Sequence, residues 1–168
     1  MSNLPAAVAA PERILMGPGP SNVPPSVLTS MAQPCIGHLD PWFIDRMNEV
    51  QCMLREVMQT KNELTIPMSA TGSAGMETCL VNLIEPGDRC VIGVNGVFGG
   101  RMCDIVERAG GECVKVEAPW GEPIDPSAIE AAVQGGKTKL VAVVHAETST
   151  GVLQPLEDIS RIAHENDA

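Results

Sequence analysis

Three short runs carry side chains that could do chemistry. In Ser69-Ala70-Thr71-Gly72-Ser73-Ala74-Gly75-Met76-Glu77, small residues and hydroxyls stand where a helix should begin. The first turn of a helix has N–H groups without intrahelical partners and carries the positive end of the peptide dipole. Such a start holds an anion, phosphate above all, with Gly72 allowing close approach and the Thr71 and Ser73 hydroxyls adding donors. The same residue types also make an ordinary capped helix, because Ser and Thr are frequent N-caps. The run is neither G-x-x-x-x-G-K-[ST] nor G-x-G-x-x-G, so the two common nucleotide fingerprints are absent.

The second run is Asn95-Gly96-Val97-Phe98-Gly99-Gly100-Arg101. An aromatic ring flanked by glycines at the carboxyl end of a strand can stack on a planar cofactor, although a Phe more often fills a core. The third is His145-Ala146-Glu147-Thr148-Ser149-Thr150-Gly151, again just past a Val-rich segment. His145 alone reads as a hydrogen-bonded structural residue. The stronger signal is convergence: three successive strand ends would deliver these runs to one crevice, where open α/β sheets bind ligands.

The elements needed for this follow from periodicity. Met1–Ala10 reads as a loose arm ahead of Gly17-Pro18-Gly19-Pro20, which cannot be regular helix or central strand. Phe43, Met47, Val50, Leu54 and Val57 recur at helical spacing and predict an amphipathic helix over 43–59 with a core-facing stripe. Beyond Leu64, short apolar runs alternate with helical ones. Strands are expected at Thr65–Ser69, Arg89–Val94, Glu112–Val116 and Lys139–His145, and helices at Ala74–Ile84, Gly99–Arg108, Pro126–Val133 and Pro155–Asn166. That alternation predicts an α/β fold with a mostly parallel sheet flanked by helices. Glu85-Pro86-Gly87-Asp88 suits a helix stop, and Asp125-Pro126 a cap and first helical position. After the last helix the sheet is expected to need a further segment or a second chain to cover its edge.

Composition narrows the partners. A net charge of −10 with 11 scattered basic residues argues against a phosphate-backbone binder, and Phe43, Phe98, Trp42 and Trp120 are too few aromatics for a base-stacking platform. No stretch approaches membrane-spanning length and the start lacks a signal-peptide pattern, so a cytoplasmic location is expected. Cys35, Cys52, Cys79, Cys90, Cys103 and Cys113 form no C-x-x-C pair or His-spaced metal pattern and read as buried free thiols in a reducing compartment.

These runs, together with Gly17-Pro18-Gly19-Pro20-Ser21-Asn22-Val23-Pro24-Pro25 and Trp120-Gly121, resemble the alanine–glyoxylate and serine–glyoxylate aminotransferases in order and spacing from about Ile14 onward. Those enzymes are class-V members of the fold-type I pyridoxal-phosphate (PLP) transferases. The resemblance implies that 1–20 is an arm and loop and that 21–168 is the N-terminal portion of the PLP-binding large domain. It puts Thr71, Gly72 and Ser73 in the loop that holds the cofactor phosphate. Phe98 takes the position of the ring, often Trp, that stacks on the pyridine, and Thr148 that of the hydroxyl near the phenolic oxygen. Ser73 departs from relatives that carry His there.

The implied reaction moves an amino group from alanine or serine to glyoxylate, giving glycine and a 2-oxo acid, in a homodimer whose sites use both subunits. In the family, the Schiff-base lysine, the Asp facing the pyridine nitrogen and the substrate-binding Arg lie beyond Ala168. None of Lys61, Lys115, Lys137 and Lys139 has the lysine's context. A C-terminal complement of the same enzyme is therefore expected to bring the catalytic groups, and no residue of this chain is assigned a catalytic role. Ureidoglycine–glyoxylate and 2-aminoethylphosphonate aminotransferases share much of the pattern, with Gly37-His38-Leu39-Asp40 near the family's substrate-entry region. A non-catalytic phosphate-ligand or partner-binding module is the alternative of another class.

Overall fold

Proline at the first helical turn is tolerated because the N–H it lacks would have no intrahelical partner, and among the described residues three helices begin that way. The computed structural model describes residues 10–168. The arm expected over Met1–Ala10 lies, apart from its last residue, outside the described residues. The chain divides into two compact units, Met1–Ile66 and Pro67–Ala168.

The first unit holds α1 (Pro25–Met31) and α2 (Pro41–Met58). The α1 helix was not anticipated from the sequence. Before it, the Gly-Pro run is irregular, and Asn22 fixes its shape by accepting from Leu15 N at 2.8 Å and donating to Arg13 O at 2.7 Å. Asp40 caps α2 by accepting from Trp42 N at 2.9 Å. The expected stripe on α2 is present, with Phe43, Met47, Val50 and Leu54 half-buried, but Val57 is exposed and no residue of the helix is buried.

The second unit contains α3 (Gly72–Val81), β1 (Arg89–Val94), α4 (Val97–Arg108), β2 (Glu112–Glu117), α5 (Pro126–Gln134) and β3 (Leu140–Ala142). It continues with β4 (Ala146–Glu147), β5 (Val152–Leu153) and α6 (Glu157–Glu165). The parallel sheet runs β2-β1-β3, with Cys90 opposite both Cys113 and Leu140. Successive side chains of central β1 alternate between two cores. Cys90 and Ile92 join Leu80, Met102 and Val106 beneath α3 and α4, while Val91 joins Ile129, Val133, Ile159 and Ile162 beneath α5 and α6. Burying each such aliphatic side chain contributes roughly 1.5–3 kcal/mol, so a strand covered on both faces anchors the unit.

Local signals set the joints. Gly87 turns at φ 90° between α3 and β1, and Asp88 closes that turn by accepting from Glu85 N at 2.9 Å. Asp125 caps α5 by accepting from Ser127 N at 2.9 Å, a bond that holds its carboxyl below the usual carboxylate range. A Cβ on Gly99 would stand 2.7 Å from Gly93 O and 2.9 Å from the Val94 Cα, so only glycine lets α4 lie this close to β1.

The sequence expectations need three corrections. Thr65–Ser69 is not a strand: its hydrogen bonds are short-range, as in Thr65 N to Glu63 O, and no ladder partner exists among the described residues. The strand expected over Lys139–His145 closes at Ala142, and the chain then forms an antiparallel hairpin in which Ala146 faces Leu153 and Glu147 faces Val152. The cysteines are all free, but only Cys90 and Cys103 are buried, Cys113 is half-buried, and the other three are exposed. No helix among the described residues is long and apolar enough to cross a membrane.

Candidate functional site

The α3 helix opens at Thr71, whose φ of −70° and ψ of 162° stop the chain just short of the helix, and no side chain caps the first turn. The space beside Gly72 and Gly75 is open to 4 Å. This start therefore leaves N–H groups available to an outside acceptor, aided by the helix dipole.

The α4 helix is treated differently. Its N-cap is Gly96, which has no side chain to offer. Phe98 N instead donates to Glu147 Oε2 at 3.1 Å, and Val97 N donates to Ser149 Oγ at 3.1 Å. Glu147 Oε1 accepts from Ser149 N at 3.1 Å and from Ser149 Oγ at 2.5 Å. The hairpin strand β4 and the start of α4 are thereby tied together, with Thr148 held between two bonded residues.

These joints leave a cavity of about 440 Å³ lined by Thr71, Gly72, Ser73, Met76, Phe98, Val144, Ala146 and Thr148. All five residues singled out from the sequence meet there. Two strand ends converge with the start of α3, rather than three strand ends: β1 leads to Phe98 and β3 to Val144 and the β4 hairpin, while no strand precedes α3. Arg101 lies one helical turn beyond Phe98, places its guanidinium 5.5 Å from the Phe98 ring centroid and donates to Ser73 Oγ. A cation over a ring face is held by the ring quadrupole. The sequence reading gave no role to Arg101 or Glu147. The available signals were an Arg at i+3 from the ring and an acid set among small and hydroxyl residues after a Val-rich strand.

Neighbouring polar residues serve structure. His145 Nδ1 donates to Gln154 O at 2.9 Å, the structural part expected of it. The buried Gln154 side chain accepts from Ile124 N at 2.7 Å and donates to Ile124 O at 3.1 Å, and Asn95 donates to Glu122 O at 2.8 Å. Both pin the loop containing Trp120, which is exposed and does not line the cavity. Burial, then the hydrogen bond that its own S–H donates to Cys103, pushes the Cys113 thiol up to about 12, and burial also raises Cys103 and Cys90. Thiols held protonated are poor nucleophiles. No cluster able to hold a metal ion is present among the described residues.

A second cavity, of about 510 Å³, lies at the opposite strand ends and is lined by Arg89, Asp88, Glu112, Lys137, Lys139 and Asp167 among others. Its charges are of both signs. Arg89 spends its donors internally, on Ala132 O at 2.7 Å and Thr138 Oγ1 at 2.8 Å.

The donor set of the first cavity fits a flat, phosphate-bearing cofactor: open space and free N–H groups at one wall, a half-buried ring at another, a hydroxyl at a third. The family model for class-V aminotransferases matches residues 14–168. The chain is 42% identical over 161 residues to the (S)-ureidoglycine–glyoxylate transaminase of Bacillus subtilis, covering 96% of this chain and 39% of that one. It is 38% identical to the alanine–glyoxylate aminotransferase of Rattus norvegicus, covering 94% and 38%. The crystal structure of alanine–glyoxylate aminotransferase from Nostoc sp. superposes with a TM-score of 0.90 at 46% identity, covering 94% and 42%. The chain spans about two fifths of the length of the curated relatives it matches.

Proposed function

The chain belongs to the class-V aminotransferases, with the α/β architecture of fold-type I pyridoxal-phosphate transferases, and from that premise we propose that it forms the cofactor-holding part of a transaminase. The reaction moves an amino group from alanine or serine to glyoxylate and yields glycine and a 2-oxo acid. The observation that carries this reading is the gathering of Thr71, Gly72, Ser73, Phe98 and Thr148 around one cavity of about 440 Å³.

When bound, pyridoxal 5′-phosphate supplies an electron sink for the substrate α-carbon. The residues of this chain bind and orient. The N–H groups at the start of α3, with the Thr71 and Ser73 hydroxyls, hold the phosphate, and the helix dipole favours its charge. Phe98 would stack on the pyridine ring and keep water from it. Thr148 would donate a hydrogen bond to the phenolic oxygen and so favour the charged form of that oxygen. Lys115, Lys137 and Lys139 do not line the cavity, and in this reading a C-terminal complement of the same enzyme would supply the lysine that holds the cofactor. Residues 21–168 are accordingly the N-terminal portion of a PLP-binding large domain, in a homodimer acting on small amino acids and 2-oxo acids.

A second donor has support of its own: the 42% identity to an enzyme named for ureidoglycine favours (S)-ureidoglycine as strongly as alanine or serine, with glyoxylate the acceptor in both cases. Half-reactions of the native enzyme with alanine, serine, (S)-ureidoglycine and 2-aminoethylphosphonate, each followed by glyoxylate, decide the donor. Turnover with one of the first three and formation of glycine is the expected result. Failure with all four, or amination of a different 2-oxo acid in preference to glyoxylate, defeats the assignment.

A further inference from the structure

Among the described residues the buried polar side chains are Asn95, Thr138, Glu147 and Gln154, and only Glu147 is an acid. A carboxylate taken from water costs several kcal/mol unless its oxygens are satisfied. Here no cation is paired with it. The offset comes from three donors, the N–H groups of Phe98 and Ser149 and the Ser149 hydroxyl, and from the positive end of the 12-residue α4. In every contact the carboxylate accepts.

The two oxygens are divided between two parts of the proposed cofactor site. Oε2 holds the backbone of Phe98, 49 residues distant, while Oε1 holds the residue next to Thr148. Glu147 itself does not line the cavity. Gly96 is fitted to this arrangement. Its φ of 176° is extended backbone that any residue adopts, so space rather than strain excludes a side chain there. A Cβ on Gly96 would run into Glu147 Cγ and Cδ and meet Ser149 Oγ at 2.7 Å.

We propose that Glu147 is a positioning residue that sets the Phe98 ring and the Thr148 hydroxyl at a fixed separation and so fits the cavity to the ring of the cofactor. The proposal rests on the cofactor reading above. Its test uses the native enzyme stripped of cofactor and titrated with pyridoxamine 5′-phosphate, which forms no bond to lysine and so reports the non-covalent grip alone. Three quantities are read: the dissociation constant by calorimetry, the circular dichroism that the site induces in the bound ring, and the melting temperature of the apoenzyme.

Binding by the wild type is the control, and its absence overturns the cofactor reading together with this one. Given that binding, Glu147→Gln is expected to raise the dissociation constant about tenfold, the effect of losing a charge-assisted hydrogen bond, and to reduce the induced dichroism. Gly96→Ala, which displaces the carboxylate but leaves its charge, should shift both in the same direction. A Glu147→Gln apoenzyme that melts lower yet keeps the wild-type constant and dichroism would make Glu147 a purely structural cap and overturn the proposal. If that variant does not fold, Ser149→Ala serves: it removes one of the three donors, and an unchanged constant with unchanged dichroism overturns the proposal equally.

Discussion

The two ends of the β2-β1-β3 sheet each carry a cavity, and the larger is the less promising. At the amino ends of the strands, about 510 Å³ is surrounded by Arg89, Lys137, Lys139, Asp88, Glu112 and Asp167. At the carboxyl ends, about 440 Å³ is walled by hydroxyls, a ring and small apolar residues, with no formal charge among its lining groups. Size and charge would select the first. Hydrogen-bond accounting selects the second, because Arg89 is committed to the last turn of α5 and to Thr138, whereas the first turn of α3 has no cap. Satisfied donors hold a fold together, and unsatisfied donors at an open helix start are available to a ligand.

If that contrast is sound, breaking the satisfied end should cost stability and leave binding alone. Arg89 is the point of attack, since its side chain is 15% exposed and Ala132 O and Thr138 Oγ1 depend on it. Arg89→Ala is expected to lower unfolding stability by about 3 kcal/mol, the scale for stripping partners from part-buried acceptors at a helix end. Chemical denaturation measures it. The affinity for pyridoxamine 5′-phosphate should stay within twofold of wild type, and a tenfold loss would mean that the two ends are not separable.

The reverse experiment is made at the other end. Phe98→Ala should weaken pyridoxamine 5′-phosphate by about 2 kcal/mol, the scale of an aromatic stacking contact, with a smaller loss of stability because the ring is only half-buried. Phe98→Trp should retain binding. Calorimetry separates the two, and equal losses in both variants would show that the ring fills space instead of stacking. Thr148→Val keeps the side-chain shape and removes the hydroxyl, at an expected cost of about 1 kcal/mol in affinity. The sign of its spectroscopic effect is fixed as well: a lost donor disfavours the charged phenolic oxygen, so the pH at which that oxygen titrates should move up. A downward shift would place the hydroxyl elsewhere.

Much of this contrast was legible in the sequence, for reasons specific to each element. Arg89–Val94 was found to the residue because a central parallel strand is apolar on both faces and is bounded here by the Gly87-Asp88 turn and by Asn95-Gly96. A helix start at the run Thr71-Gly72-Ser73 was legible because helix starts are coded locally. Thr65–Ser69 has a strand-like composition, yet a strand exists only through its partner, and pairing over long separations leaves no mark in a single run. The β4–β5 hairpin was missed for the same reason, and Glu147 with it. The Ser149 donors of Glu147 are local, but its bond to Phe98 N spans 49 residues and leaves no mark beyond an acid set among hydroxyl residues, and its burial follows from the turn that delivers it to α4.

The smallest effect tests the accounting from the opposite direction. Thr150 Oγ1 is the one buried side-chain oxygen or nitrogen without a hydrogen-bond partner among the described residues, and it stands in the same hairpin as Glu147, whose backbone oxygen accepts from Thr150 N at 3.1 Å. An unpaired buried hydroxyl forgoes its bonds to water and gains none in exchange. Thr150→Val keeps the shape and the backbone bond while discarding the liability. It should therefore stabilise the chain by up to about 1 kcal/mol in denaturant titration, where most substitutions in a packed hairpin do the reverse. Placed beside Thr148→Val, two residues away, the pair makes a discriminating experiment. The same substitution should weaken cofactor binding at 148, a residue that lines the cavity, and leave it untouched at 150. A loss of affinity at both positions would mean that the hairpin acts as a unit and that the division between holding the fold and holding a ligand fails at this turn.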